Sequence, residues 1–93
     1  MILYYDIVIK LNKKHQKILD SIFVEPVRSN VIWNDIEKLL KALGTEISKG
    51  RGPRVRLYLN GVKAVFHRPH PKKETDKGAL KSMRRFLIEA GVK

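Results

Sequence analysis

Three histidines, no cysteine and twenty lysines and arginines form the reactive inventory of this 93-residue chain. Two of the histidines, His67 and His70, lie in GRGPRVRLYLNGVKAVFHRPHPKKE, from Gly50 to Glu74. From Lys49 to Lys73 there are eight Lys or Arg and no Asp or Glu. Histidine is the side chain most often used to move a proton, and an arginine next to it can neutralise a phosphate. Deprotonation of a hydroxyl beside a neutralised anion is therefore the chemistry on offer, provided that a histidine and an arginine meet. A metal is not expected: His67-x-x-His70 supplies two ligands without a third nearby, and the local positive field opposes a cation. The absence of cysteine removes thiolate zinc sites, disulfides and thiol nucleophiles. Gly50-Arg51-Gly52 is not followed by Gly-Lys-Ser/Thr and leads into a strand rather than a helix, so it is not a nucleotide phosphate loop. No cofactor is expected.

The element that must position these groups is a β-hairpin. Val55, Leu57 and Leu59 alternate with Arg54, Arg56 and Tyr58; Asn60-Gly61 then leads into Val62, Ala64 and Phe66. Asn-Gly accepts the positive φ of a two-residue type I′ turn. With that loop, Leu59 faces Val62, Tyr58 faces Lys63, Leu57 faces Ala64, Arg56 faces Val65, Val55 faces Phe66 and Arg54 faces His67. Alternation puts Val55, Leu57, Leu59, Val62, Ala64 and Phe66 on a buried face and Arg54, Arg56, Tyr58, Lys63 and His67 on the other. His67 and Arg54 thus meet across the strands. The pairing is equally compatible with a histidine that only ends an exposed strand. His70, between Pro69 and Pro71, reads as part of a rigid turn.

Around the hairpin the chain predicts helices. Asn12 is a candidate N-cap, followed by Ile18, Leu19, Ile22 and Phe23 at helical spacing and a stop before Pro26. His15 falls near that stripe and reads as packed or solvent-facing. VRSNVIWNDIEKLLKALG places Trp33, Ile36, Leu39, Leu40 and Leu43 on one side, with Gly44 as its terminator. A short strand is expected over Thr45 to Ser48. Asp76 caps a last helix with Ala79, Leu80, Met83, Phe86, Leu87 and Ala90 inward and Lys77, Lys81, Arg84 and Arg85 on the opposite side and flank. The order is α-α-β-β-β-α, an α+β fold with an antiparallel three-stranded sheet and helices on one face. Residues 1–11, MILYYDIVIKL, read either as an added edge strand or as an N-terminal extension, and residues 12–93 as a single domain.

A formal net charge of +11 points to nucleic acid. A basic membrane-surface protein fits less well, because no helix sets a bulky aromatic face against a cationic one. No stretch approaches the roughly 20 apolar residues of a membrane span, and the start lacks a signal-peptide pattern, so a cytoplasmic, membrane-free protein is expected.

WNDIEKLLKALG, a basic glycine turn, a hairpin and HPKKETDKGALKSMRRFLIEAG follow one another in an order that resembles the HicA family of bacterial toxin ribonucleases. The likeness runs over roughly Val31 to Val92. Its most specific part is His70-Pro71 with Lys72, Lys73 and Glu74, then Gly78, Leu80, Lys81 and Ser82. The resemblance implies a compact double-stranded-RNA-binding-like fold, messenger RNA cleavage, and restraint by a HicB-like antitoxin. One departure matters. Family members usually carry Gly-Ser/Thr-His at the start of the second strand, with that histidine catalytic; the matching positions here are Gly52-Pro53-Arg54. Arginine stays protonated at any working pH and cannot be a general base. The expected catalytic pair is therefore His67 with Arg54, and the expected RNA contacts are Arg51, Arg56, Lys63, Arg68, Lys72, Lys73, Lys77, Lys81 and Arg84. Two readings follow: a metal-independent endoribonuclease toxin acting on mRNA, single-stranded or structured, or a non-catalytic RNA-binding module that has lost the family's histidine. A DNA-binding role is weaker, since no helix-turn-helix spacing appears.

Overall fold

The structure, a computed structural model, describes residues 11–93. The edge strand or extension expected over residues 1–11 falls, apart from Leu11, outside them. The described elements are α1 (Lys13–Phe23), α2 (Trp33–Ala42), β1 (Glu46–Lys49), β2 (Arg54–Leu59), β3 (Val62–His67) and α3 (Lys77–Glu89). The three strands form one antiparallel sheet in the order β1-β2-β3. This is the α-α-β-β-β-α order and α+β class that the sequence predicts.

The hairpin register agrees residue for residue with expectation, from Leu59↔Val62 at the turn to Arg54↔His67 at the far end. Asn60 (φ 50°) and Gly61 (φ 82°) both sit in the left-handed region, as a type I′ turn requires. The Asn60 side-chain amide also donates to the Ala90 carbonyl at 2.7 Å, fastening the turn to the C-terminal end of α3. Along β2 burial alternates strictly: Val55, Leu57 and Leu59 are buried, while Arg54, Arg56 and Tyr58 are exposed.

One hydrophobic core joins that inner face to the helices. Val55, Leu57, Leu59 and Phe66 belong to the same cluster as Ile36, Leu39 and Leu40 of α2 and Leu80, Met83 and Leu87 of α3. Trp33 packs its ring 5.8 Å from that of Phe66, linking α2 to β3. Helix α1 lies outside this layer and packs on α2 and α3 through Leu19 and Ile22. Burying each such aliphatic side chain contributes about 1.5–3 kcal/mol, which explains why the sheet's inner face is fixed and its outer face is left bare. Both predicted caps are made: the Asn12 carboxamide oxygen accepts from the His15 N–H, and the Asp76 carboxylate from the Ala79 N–H, each at 2.7 Å.

Helix α2 starts later than its periodicity suggests. Val31 and Ile32 are extended, and Ile32 forms an antiparallel bridge with Glu74. The Thr75 N–H donates to the Val31 carbonyl at 2.7 Å and the Trp33 N–H to the Lys73 carbonyl at 3.0 Å. No side chain caps α2; Lys73 supplies an acceptor for one of the free N–H groups of its first turn instead. This tie fixes the segment after β3 against the start of α2. Strand β1 is displaced by one residue, Glu46–Lys49 in place of Thr45 to Ser48.

Candidate functional site

The open face of the sheet is built in rungs. Residues paired across antiparallel strands share a face, so its successive rungs are Arg54 with His67, then Ser48, Arg56 and Val65, then Glu46, Tyr58 and Lys63. All eight are exposed. The Arg68 N–H donates to the Pro53 carbonyl at 2.9 Å, one step beyond the Arg54–His67 pair. Because bonded and non-bonded pairs alternate, Arg54–His67, Arg56–Val65 and Tyr58–Lys63 are all non-bonded pairs, in which facing side chains approach most closely. His67 and Arg54 therefore stand together as the register predicts.

The loop joining β1 to β2 is held tightly beneath Arg54. The Gly50 N–H donates to the Arg54 carbonyl at 2.9 Å, and the Arg54 N–H to the Arg51 carbonyl at 3.2 Å. A Cβ on Gly50 would lie 3.0 Å from the Cβ of Arg54, so a side chain there would push Arg54 out of place. Glycine serves close approach here, and it leaves Arg51 exposed at the loop tip next to the first rung.

Two of the expected RNA contacts are otherwise engaged. Arg68 follows His67 but turns toward α2, donating from Nε and Nη2 to the Glu37 carboxylate at 2.7 and 3.1 Å. Glu37 also accepts from the Trp33 indole N–H. Burial would push the Glu37 carboxyl up, but the hydrogen bonds from Arg68 and Trp33, with the charges of Arg68 and Lys41, outweigh it and hold the group below the ordinary glutamate range. The bond to Glu37 in turn raises Arg68. Arg68 thus anchors the end of β3 and, through it, the backbone of His67.

Arg84 is a second correction. It is not on the outer side of α3; it reaches α1, where Nε and Nη2 donate to the carbonyls of Ile22 and Val24 at 2.6 and 2.5 Å and Nη1 meets Glu25. These carbonyls end α1 without an intrahelical partner, and a largely buried guanidinium satisfies them. Its neighbour Arg85 is exposed. With Ser82 and Glu89 it lines a cleft against Lys63 and Val65 of β3. Helix phase carries the signal: Arg84 follows Leu80 by four residues, on the inward stripe, whereas Arg85 follows exposed Lys81.

The remaining candidates do not all converge. Lys72 and Lys73 are exposed and border a small hollow with Trp33, Asn34 and Arg68 beyond the His67 end of the sheet. Lys77 lines a different hollow, with residues 24–30, and Lys81 is exposed one turn further along α3. His70 is exposed, and its bond to Pro71 is cis. Among the described residues no group of three His, Asp, Glu or Cys is placed to hold a metal ion, and no helix is long and apolar enough to cross a membrane.

A family model described as HicA toxin of bacterial toxin-antitoxin matches residues 33–92, from the first residue of α2 to just past α3. The chain belongs to the HicA toxin family. It is thus a toxin of the toxin-antitoxin class, and an antitoxin partner comes with that membership. No curated protein and no solved structure matches it. The match takes in the hairpin, the Gly50–Pro53 loop and the segment after β3, and leaves α1 outside. Helix α1 lies outside the matched segment and is held to it by Leu19, Ile22 and the Arg84 bonds.

Proposed function

We propose that this HicA-family toxin binds messenger RNA on its open sheet face and cleaves it without a metal, with His67 as general base and Arg54 as the phosphate-neutralising cation. The observation that carries the reading is the Arg54–His67 rung, a proton acceptor beside a permanent cation on an uncovered face. His67 takes the proton of a ribose 2′-OH; the 2′-oxygen attacks the adjacent phosphorus; the bond to the 5′-oxygen breaks and that oxygen leaves with a proton from water. The nucleophile belongs to the substrate, so no water has to be activated. Arg54 balances the charge that builds on the phosphoryl oxygens. Arg51, Arg56, Lys63, Lys72, Lys73 and Arg85 hold neighbouring phosphates, with Lys77 and Lys81 serving only RNA long enough to reach α3. The reaction takes place in the cytoplasm, where mRNA is the available polyanion.

The same face is the natural target of the antitoxin. A HicB-like partner presenting acidic groups to Arg54, Arg56 and Lys63 would exclude RNA by occupation, associating quickly and in a salt-sensitive way. Incubating the toxin with labelled RNA and EDTA tests the reaction: products ending in 2′,3′-cyclic phosphate, lost in His67→Ala while binding persists, are expected. Full cleavage by His67→Ala would refute the assignment. One observation favours a second reading, a binding module without activity: Arg54 occupies the position at which the family resemblance calls for the catalytic histidine. An inactive wild type that still binds RNA would establish it.

A further inference from the structure

Among the described residues Tyr58 is the only exposed Phe, Tyr or Trp; Trp33, Phe66 and Phe86 are buried and Phe23 is half-buried. It stands on the middle strand, 42% exposed. Its neighbour across the strands, Lys63, holds its Nζ over the ring at 6.0 Å from the centroid, the reach of a flexible side chain that a stacked base can displace toward a phosphate. Arg56 is two residues back along β2, and Val65, 57% exposed, stands opposite Arg56. From the open face we infer that Tyr58 is a stacking platform for one nucleobase, and that the RNA taken by this toxin is unpaired where it crosses the sheet.

The inference rests on the RNA reading above and adds the class of RNA. A π-face with cations on either side of it is the arrangement that grips single strands: the ring stacks on a base while Arg56 and Lys63 hold the flanking phosphates. A duplex hides its base faces inside its own stack and offers only backbone and groove edges, so Tyr58 gains nothing from it. The ring together with the charge favours RNA as the occupant, with the antitoxin competing for the same cations. The face sets Arg54, Arg56 and Lys63 against one carboxylate, Glu46, which suits a continuous polyanion. Tyr58 lies four residues from Arg54 along β2, about 13 Å at the usual strand rise. The stacked base therefore sits at a constant short offset from the phosphate that is cut.

The test uses the full chain carrying His67→Ala, so that RNA survives, and a short fluorescent RNA offered as a single strand, as the same strand in a duplex, and with single abasic positions. Binding is read by anisotropy at fixed salt. The single strand is expected to bind more tightly than the duplex. Adding Tyr58→Ala is expected to weaken single-strand binding by about 5- to 150-fold and leave the duplex unchanged, while Tyr58→Trp retains affinity and Tyr58→Leu behaves like Tyr58→Ala. Abasic substitution should matter chiefly at one position, displaced by a fixed number of nucleotides from the site cut by the wild type. Equal affinity for duplex and single strand, or an unaffected Tyr58→Ala variant, overturns the inference and leaves the RNA reading standing. Binding of neither RNA overturns both. Unaltered RNA affinity in Tyr58→Ala, together with weakened binding to the purified antitoxin, would assign the ring to the protein partner and also overturn it.

Discussion

Arg56 and Arg84 are the same side chain put to opposite uses. Arg56 projects from the middle strand into solvent, and no acid or carbonyl among the described residues holds it. Arg84 is largely covered against α1 and gives its donors to two carbonyls and a carboxylate. The contrast extends to the two faces of the hairpin. Inward residues are matched by partners from α2 and α3, whereas the outward arginines, Arg54 and Arg56, meet no acidic partner among the described residues. A cation whose charge is met locally contributes to stability; one left unmet contributes a field that another molecule must satisfy. A count of lysines and arginines cannot separate the two, but their positions in the pleat or on the helix can.

The comparison is broken most severely by moving from binding to chemistry. His67→Ala should lower cleavage by about 10²–10⁴-fold with little change in thermal unfolding, because the side chain is exposed at a strand end. The opposite signature is expected one face away. Leu57→Ala should cost about 2–5 kcal/mol of stability, visible in urea titration, while the remaining folded protein binds RNA normally. A loss of RNA affinity by folded Leu57→Ala would mean that the two faces are not independent.

The arginine pair sharpens the contrast further. Arg84→Ala should lower stability by about 1.5–3 kcal/mol by stranding the carbonyls that end α1, without altering the salt dependence of RNA binding. Arg56→Ala should do the reverse, leaving the melting temperature in place and reducing the slope of log K against log salt by about 0.7. Isothermal binding at several salt concentrations, run beside thermal melts, separates the two variants. Similar behaviour in both experiments would erase the distinction.

The smallest effect concerns Glu37, which lies between the two regimes. Its carboxyl is held below the ordinary glutamate range, so the unfolded chain takes up its proton first as pH falls. The stabilisation is complete above the unfolded value, from about pH 5 upward, and is lost as pH drops through the lower folded value. Glu37→Gln keeps an acceptor for Trp33 and removes the charge. It should cost about 1–2 kcal/mol at neutral pH, a modest figure because Arg68 remains partly solvated, and should flatten the acid limb of a stability-against-pH curve. An unchanged acid limb would show that Arg68 is not held by charge.

Most of the framework is legible from short-range pattern. Strict alternation around Asn60-Gly61 specifies the hairpin register, and with it the meeting of Arg54 and His67, because a slip by one residue would expose Leu57 and bury Arg56. The Asn12 and Asp76 caps are local signals of the same kind. Where the reading falls short, the cause is long-range. Residues Val31 and Ile32 look helical by periodicity, yet Lys73 and Thr75, forty residues away in the chain, draw them into a bridge. Arg68 and Arg84 look like free cations because their partners, Glu37 on α2 and the end of α1, are distant in sequence. Arg84 and Arg85 both read as outer side and flank, and the contact with the end of α1 separates them.

The pairing of Arg54 with His67 has an evolutionary consequence. A rung of two non-bonded residues has approximate two-fold symmetry, so the two side chains can trade strands and still offer the same acid-base group and the same cation to whatever lies above. Both positions are exposed, and neither exchange disturbs the core. On the role proposed for His67, a histidine on the second strand and one on the third are therefore equivalent choices, two substitutions apart, and selection can act on the rung rather than on the residue number. Exchanging the pair, with Arg54→His and His67→Arg together, would test that equivalence in the laboratory.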